Sequence, residues 1–127
     1  MALVFLTTEM VQAIQADQIQ RYGGDLGIRD MGLLESAVAM PQAGYGGQRF
    51  HTDLFEMAAA YLFHLVKNHP FVDGNKRSGS MAAYAFLELN GLTFDAPEKG
   101  YGDLVLAVAE GKMAKSAVAE FFRQHAG

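Results

Sequence analysis

The sequence predicts an all-α fold, a single domain of about six helices that spans residues 1–127. Apolar residues recur at the three- and four-residue spacing of amphipathic helices, and no segment shows a convincing strand alternation. Two long segments in the middle of the chain are almost wholly apolar or small. Hydrophobic residues make up 50% of the chain, which is enough for one sizeable core.

The first helix has clear start and stop signals. Thr7 or Thr8 can cap a helix that runs to about Arg21, where two adjacent glycines stop it. The next segment, YGGDLGIRD at residues 22–30, contains three glycines and has no helical period. It is predicted to be a loop or a short hairpin.

A short second helix is predicted over residues 31–40. Asp30 stands at the N-cap position, and Pro41 ends the helix. The following segment, residues 42–50, is rich in glycine but lacks the order of a phosphate-binding fingerprint. It is predicted to be a flexible connection.

A third helix is predicted over residues 53–68 with Thr52 as its N-cap. Its polar side chains fall within one narrow stripe at 100° per residue, and the remaining positions are almost all apolar. The stripe consists of Asp53, Glu56, His64 and Lys67. A helix with so little polar surface is mostly buried. His64, which lies on the stripe, is expected at the surface.

The second half of the chain predicts three more helices. One covers residues 75–90 with Gly91 just after its end, and its many small residues would let neighbouring helices approach closely. Residues 92–100 form a connector with at most one short extended piece. Apolar residues at helical spacing predict a further helix from Tyr101, and a last one after Gly111.

Charge and composition exclude several classes of protein. The formal net charge is −4 and the pI is about 5.4, so no general basic field favours nucleic acid or anionic membrane. The chain has no cysteine, which excludes disulfides, thiolate metal sites and a cysteine nucleophile. No charged leader precedes an apolar run, and no segment approaches the ~20 apolar residues of a membrane span. A soluble, cytoplasmic protein is expected.

The segment NHPFVDGNKRSGS, residues 68–80, places two cations at the wrong end of a helix. Lys76 and Arg77 fall in the first turn of the 75–90 helix, where the positive end of the dipole disfavours them by roughly 0.3–1 kcal/mol each. The unpaired amides of that turn hold anions well, and Gly74 permits the turn that presents them. A bound polyanion would offset both the dipole and the repulsion between the cations.

The neighbouring residues add chemistry to this anion site. Asp73 is an anion beside it, and a divalent cation such as Mg²⁺ between carboxylate and phosphate would resolve the conflict. His69 can act as a general base, because imidazole exchanges protons readily near neutral pH. Asn75 can orient a phosphate oxygen or the loop itself, and Phe71 is expected to anchor the loop in the core. Together these residues indicate phosphoryl or nucleotidyl transfer from a nucleotide.

The segment HPFVDGNKR, residues 69–77, resembles the signature of the Fic/Doc superfamily, His-x-Phe-x-Asp/Glu-Gly-Asn-x-Arg. Residues 21–42 and 53–91 resemble its Doc (death on curing) branch. The resemblance implies a compact six-helix fold, with ATP and Mg²⁺ as cofactors. It implies that His69 is the general base and Asp73 the metal ligand. It also implies that the nucleotide phosphates are bound by Gly74, Asn75, Lys76 and Arg77.

The family also has a flap, a short extended segment that aligns target peptides by strand addition. By position, the equivalent here is residues 24–29, which we call the flap. Its residues are Gly24, Asp25, Leu26, Gly27, Ile28 and Arg29.

Two departures from the AMP-transferring members favour another reaction. Those members have Gly where this chain has Lys76, and a second Arg where it has Ser80. Doc-type proteins share both features, and they imply an inverted ATP pose with the γ-phosphate at the loop. The resemblance thus implies a toxin that phosphorylates a threonine of elongation factor Tu, arrests translation and is silenced by a separate antitoxin, Phd-like or other.

Two alternatives remain open at this point. One is AMP transfer to a protein hydroxyl, and the other is a non-catalytic module that binds an anion or a partner. Residues 116–121 match only the first part of the family's inhibitory helix pattern, so they are interpreted as an ordinary amphipathic helix.

Overall fold

The helices follow the order that the sequence predicts. The structure is a computed structural model that describes residues 2–127. Its helices are α1 (Thr8–Tyr22), α2 (Met31–Ala39), α3 (Leu54–Asn68), α4 (Asn75–Leu89), α5 (Glu98–Ala109) and α6 (Lys115–His125). A 3₁₀ turn at Met40–Gln42 and two-residue strands β1 (Gly44–Tyr45) and β2 (Gln48–Arg49) lie between α2 and α3. The prediction of an all-α fold is confirmed.

Helix α3 is the centre of the core. It packs against α2, α4, α5 and α6, and residues 57–62 are all buried. Tyr61 lies against Phe86 of α4, with ring centroids 5.1 Å apart, and each buried side chain of this size contributes about 1.5–3 kcal/mol. The Tyr61 hydroxyl accepts a hydrogen bond from the Leu6 amide at 2.8 Å, which ties the N-terminal segment to α3. Burial raises the pKa of Tyr61 to about 12.

Helices α3 and α4 approach closely where α4 has a glycine. A Cβ atom at Gly79 would lie 2.9 Å from Val66 Cγ2 and 3.3 Å from the Leu62 carbonyl oxygen. The small residues of α4 therefore act as the sequence predicts, and they bring the ends of both helices together. Loop 69–74, which joins α3 to α4, lies at that meeting point.

The N-cap of α3 lies one residue later than predicted. The Asp53 side chain, not that of Thr52, accepts the capping hydrogen bond, from the Glu56 amide at 2.8 Å. The Thr52 hydroxyl donates instead to the Glu56 carboxylate at 3.2 Å. Both residue types cap helices well, so composition alone could not decide between them.

The segment after α2 contains a short hairpin, which the sequence analysis did not predict. Strands β1 and β2 pair antiparallel, and the two residues between them are Gly46 and Gly47. Their φ angles of 61° and 80° suit the type I′ turn that favours tight hairpins. The strands are too short to give an alternating pattern in the sequence.

Helix α6 covers part of the polar stripe of α3, which the sequence did not predict. His64 is half-buried, and its Nε2 lies 3.0 Å from Lys115 Nζ. Burial, followed by the nearby Lys115 charge, lowers the pKa of His64 to about 4. The expectation of a surface histidine was therefore wrong.

The connector before α5 contains the one extended piece that was expected. Phe94 forms an isolated antiparallel bridge with Ala126, next to the hydrogen bond from the Thr93 amide to the Gly127 carbonyl. Helix α5 begins at Glu98, three residues before the predicted start. Within residues 2–127 no helix combines the length and the apolar character needed to cross a bilayer.

Candidate active site

His69 ends α3 in an unusual conformation. Its φ of 53° and ψ of 52° are left-handed, and it is the one non-glycine residue with positive φ among residues 2–127. Pro70 disfavours the right-handed helical conformation at His69, so α3 cannot continue past Asn68. A left-handed residue with a side chain costs roughly 1–2 kcal/mol. Strain of this kind concentrates at functional sites, and here it falls on the predicted base.

Asn75 holds the loop in shape. Its Oδ1 accepts a hydrogen bond from the Phe71 amide at 2.9 Å, and its Nδ2 donates to the Phe71 carbonyl at 3.0 Å. Phe71 is 0% exposed, as expected for the residue that anchors the loop. These contacts match the loop-orienting role, and the second N–H of Nδ2 remains available as a donor.

The start of α4 has the backbone geometry of an anion site. Gly74 is the N-cap with φ of 75°, and it has no side chain to accept hydrogen bonds from the first turn. The amides of residues 75–77 have no intrahelical acceptors, so they face outward as donors. Lys76 is exposed beside them and forms no ion pair within the described part of the chain.

Arg77 has a structural partner that partly explains its position. Its Nη1 and Nη2 donate to the carbonyls of Gln18 and Gly23 at 3.3 and 3.1 Å, at the carboxyl end of α1. That end is the negative pole of α1 and attracts a cation. The guanidinium also lies 5.8 Å from the centre of the Tyr22 ring. With five N–H donors, Arg77 keeps others for a ligand.

Two backbone amides orient the Asp73 carboxylate. Oδ1 accepts from the Gly74 amide at 2.9 Å, and Oδ2 accepts from the Asp25 amide at 3.3 Å. The flap approaches so closely that a Cβ at Gly24, whose φ is 115°, would lie 2.6 Å from Oδ2. No cluster of three or more metal-binding side chains occurs in residues 2–127. A lone carboxylate beside a phosphate site fits Mg²⁺, which takes most of its ligands from phosphates and water.

Gln15 of α1 joins the flap to the loop, and sequence reasoning missed it. The side chain is buried, and its Nε2 donates to the carbonyls of Asp73 and Asp25 at 3.2 and 3.4 Å. One signal was available: Gln15 lies four residues after Val11 and three before Gln18, on the face of α1 that turns inward.

The flap is extended and pairs with loop 69–74. Ile28 forms an antiparallel bridge with Phe71, and the Val72 amide donates to the Gly27 carbonyl at 3.0 Å. Leu26 is 66% exposed and points away from the core. At the other end of the flap, Arg29 donates to main-chain carbonyls at the end of α3.

One cleft of about 490 Å³ brings the predicted site residues together. Its predicted lining residues are His69, Asp73, Gly74, Asn75, Lys76 and Arg77. The flap residues do not line it. Lys67, in the last turn of α3, and Ala109, at the end of α5, line the cleft and were not predicted. A cleft of this size accommodates a small-molecule ligand.

Known proteins match this arrangement of residues along most of the chain. A sequence model of the Fic/DOC family matches residues 5–87, which include the whole loop and the start of α4. The chain is 48% identical over 75 residues to the protein named Toxin Doc from Mycolicibacterium smegmatis. These residues cover 59% of this chain and 58% of that protein. It is also 37% identical over 120 residues to Protein kinase doc of Escherichia phage P1. This second alignment covers 94% of this chain and 93% of that protein.

Proposed function

The chain belongs to the Fic/DOC family, in its Doc branch, and on that premise we propose that it is the toxin of a toxin–antitoxin pair. It transfers the γ-phosphate of ATP to a hydroxyl side chain of a protein. The observation that carries this proposal is that His69, Asp73 and the cationic start of α4 line the same cleft. A simple anion site would need no base and no carboxylate.

The residues have separate tasks in the transfer. His69 takes the proton of the target hydroxyl as its oxygen attacks the γ-phosphorus. The bond between the γ-phosphorus and the bridging oxygen breaks, and ADP leaves with the electron pair. The amides of the first turn of α4, together with Lys76 and Arg77, hold the phosphate oxygens and offset their charge. The protein's contribution is mainly positioning and electrostatic stabilisation.

Asp73 would hold Mg²⁺ in this proposal. When bound, Mg²⁺ supplies charge neutralisation on the phosphates of ATP. The two amides on the Asp73 carboxylate keep it in place whether or not the ion is bound.

Phosphate transfer is preferred to AMP transfer because of what surrounds Ser80. Its hydroxyl donates to the Arg77 carbonyl at 2.9 Å, and its own carbonyl accepts from the Tyr101 hydroxyl at 2.7 Å. A neutral, engaged side chain at this position offers no clamp for the far phosphates of an AMP-transfer pose. Lys76, in contrast, adds charge at the start of α4.

Labelled nucleotides test this choice. With ATP labelled at the γ-phosphate, we expect label on the target protein; with ATP labelled at the α-phosphate, we expect none. Label from the α-phosphate alone would establish AMP transfer instead. Label from neither, in a lysate as well as with purified candidates, would favour the non-catalytic binding module.

The resemblance to the Doc branch supports a proposed target and a proposed partner. The proposed target is a threonine of elongation factor Tu, in the cytoplasm, and modification would arrest translation. The flap would present the target peptide by strand addition, because its exposed face lies beside the loop that carries His69. Since the M. smegmatis relative is named a toxin, a separate antitoxin protein, Phd-like or other, is the proposed partner.

A further inference from the structure

Arg29 is exposed, and its guanidinium nevertheless binds the end of α3. Its Nε donates to the His69 carbonyl at 2.7 Å, and its Nη2 donates to the Asn68 carbonyl at 3.0 Å. These residues lie 40 and 39 positions away along the chain. A place in the flap suggests a role in target docking, but the contacts of Arg29 are with the residue that carries the base.

The chemistry of the guanidinium suits this position. The last carbonyls of a helix have no intrahelical donors, and they form the negative pole of its dipole. A planar guanidinium can donate to two carbonyls at once and keeps its charge at every relevant pH. A lysine ammonium would keep the charge but not the fixed fork.

Main-chain amides at Arg29 and Asp30 bind the next carbonyl along the chain, that of Pro70. The amides of Arg29 and Asp30 both donate to the Pro70 carbonyl, at 2.7 and 3.0 Å. Two successive carbonyls, those of His69 and Pro70, are therefore held by one residue of the flap and its neighbour. Because Pro70 itself has no N–H, these carbonyls are the main polar groups through which this peptide can be fixed.

The conformation that is held in this way is the strained one. His69 has a φ of 53°, and left-handed backbone angles at a residue with a side chain persist only where the surroundings enforce them. These angles set the direction in which the imidazole leaves the main chain. The hydrogen bond from Arg29 Nε to the His69 carbonyl acts directly on them.

We propose that Arg29 is a positioning residue: its guanidinium holds His69 in the left-handed conformation that presents the imidazole to the cleft. The proposal rests on the assignment of His69 as the general base. Arg29 does not line the cleft, so it acts through His69 and not on the nucleotide.

Steady-state kinetics of phosphate transfer separate this role from docking. For Arg29→Ala we expect kcat to fall about 10–100-fold, while KM for ATP and for the target protein stays within about threefold. Low, non-denaturing guanidinium chloride should restore part of kcat to Arg29→Ala. Arg29→Lys should fold normally, but its kcat should fall nearly as much as that of Arg29→Ala, because lysine keeps the charge without the planar pair of donors. The control is Arg21→Ala, since the Arg21 side chain is 65% exposed and, among residues 2–127, forms an ion pair with Asp17 of α1 alone.

A conformational measurement keeps the proposal testable without activity. NMR three-bond couplings and ¹³Cα shifts report the φ of His69, which should be positive in the wild type and Arg21→Ala and lost in Arg29→Ala. If the wild type transfers no phosphate, the proposed function fails, and this measurement alone decides the role of Arg29. A positive φ with unchanged kcat in Arg29→Ala would overturn the proposal. So would a raised KM for the target with kcat intact, which would make Arg29 a docking residue.

Discussion

Replacing Asn75 with alanine removes both hydrogen bonds that hold the main chain of Phe71. The substitution leaves the Phe71 amide and carbonyl, which pair with Asn75 at 2.9 and 3.0 Å, without partners in a buried site. An unpaired buried backbone group costs ~1–3 kcal/mol, so the two together should cost ~2–6 kcal/mol. That is a large part of a typical stability of about 5–15 kcal/mol. We therefore expect a lower urea midpoint, with an unchanged m-value.

Urea denaturation followed by circular dichroism measures this loss, and ATP titration calorimetry measures binding in the same variant. The control is Asn68→Ala, since Asn68 makes one such bond, to the Leu33 carbonyl at 3.0 Å, in a half-buried position. Its expected cost is ~1 kcal/mol. A change below ~0.5 kcal/mol for Asn75→Ala, together with weakened ATP binding, would refute the loop-holding role and indicate a direct phosphate contact.

Two further predictions concern packing and pH. Gly79→Ala should destabilise the fold by ~1–3 kcal/mol, because the new methyl group would lie 2.9 Å from Val66 Cγ2. Gly102→Ala on α5, which meets nothing within 4 Å, should instead stabilise by ~0.5–1 kcal/mol. Burial lowers the pKa of His64 from 6.5 to about 4. Between these two pH values, His64 binds a proton in the unfolded chain but not in the folded protein. The unfolding free energy should therefore fall as pH drops from about 6.5 towards 4, by at most ~1.4 kcal/mol per pH unit, and His64→Gln should reduce this slope. Burial also lowers the pKa of His51, so part of the pH dependence should remain in His64→Gln.

Urea titrations at pH 7, 6 and 5 check both predictions. Equal midpoints for the two glycine variants would contradict the close approach of α3 and α4. A pH profile that is the same in wild type and His64→Gln would contradict the burial of that histidine under α6.

The sequence was most informative where the site is continuous. Seven of the residues that line the cleft lie within positions 69–77, so spacing along the chain already placed them near each other. The helix dipole argument correctly marked Lys76 and Arg77 as unusual. It could not reveal that Arg77 also binds the end of α1, because that contact joins residues 59 positions apart.

The contacts that shape the site were beyond local reasoning for the same reason. Gln15 reaches a carbonyl 58 positions away, and Arg29 reaches one 40 positions away. The burial of His64 depends on how α6 crosses α3, and periodicity predicts a polar stripe without showing what covers it. Helix existence was predictable, whereas the exact cap of α3 depended on which of two neighbouring side chains reached the first turn.

Intact-mass spectrometry of elongation factor Tu tests the central claim most directly. The factor is incubated with this protein, ATP and Mg²⁺, beside His69→Ala and, as a matched control, His125→Ala, whose ring stacks on Phe121 outside the cleft. The account predicts one phosphoryl adduct with the wild type and His125→Ala, and none with His69→Ala. An AMP adduct would contradict the assigned reaction, and a phosphoryl adduct that persists in His69→Ala would contradict the assigned base.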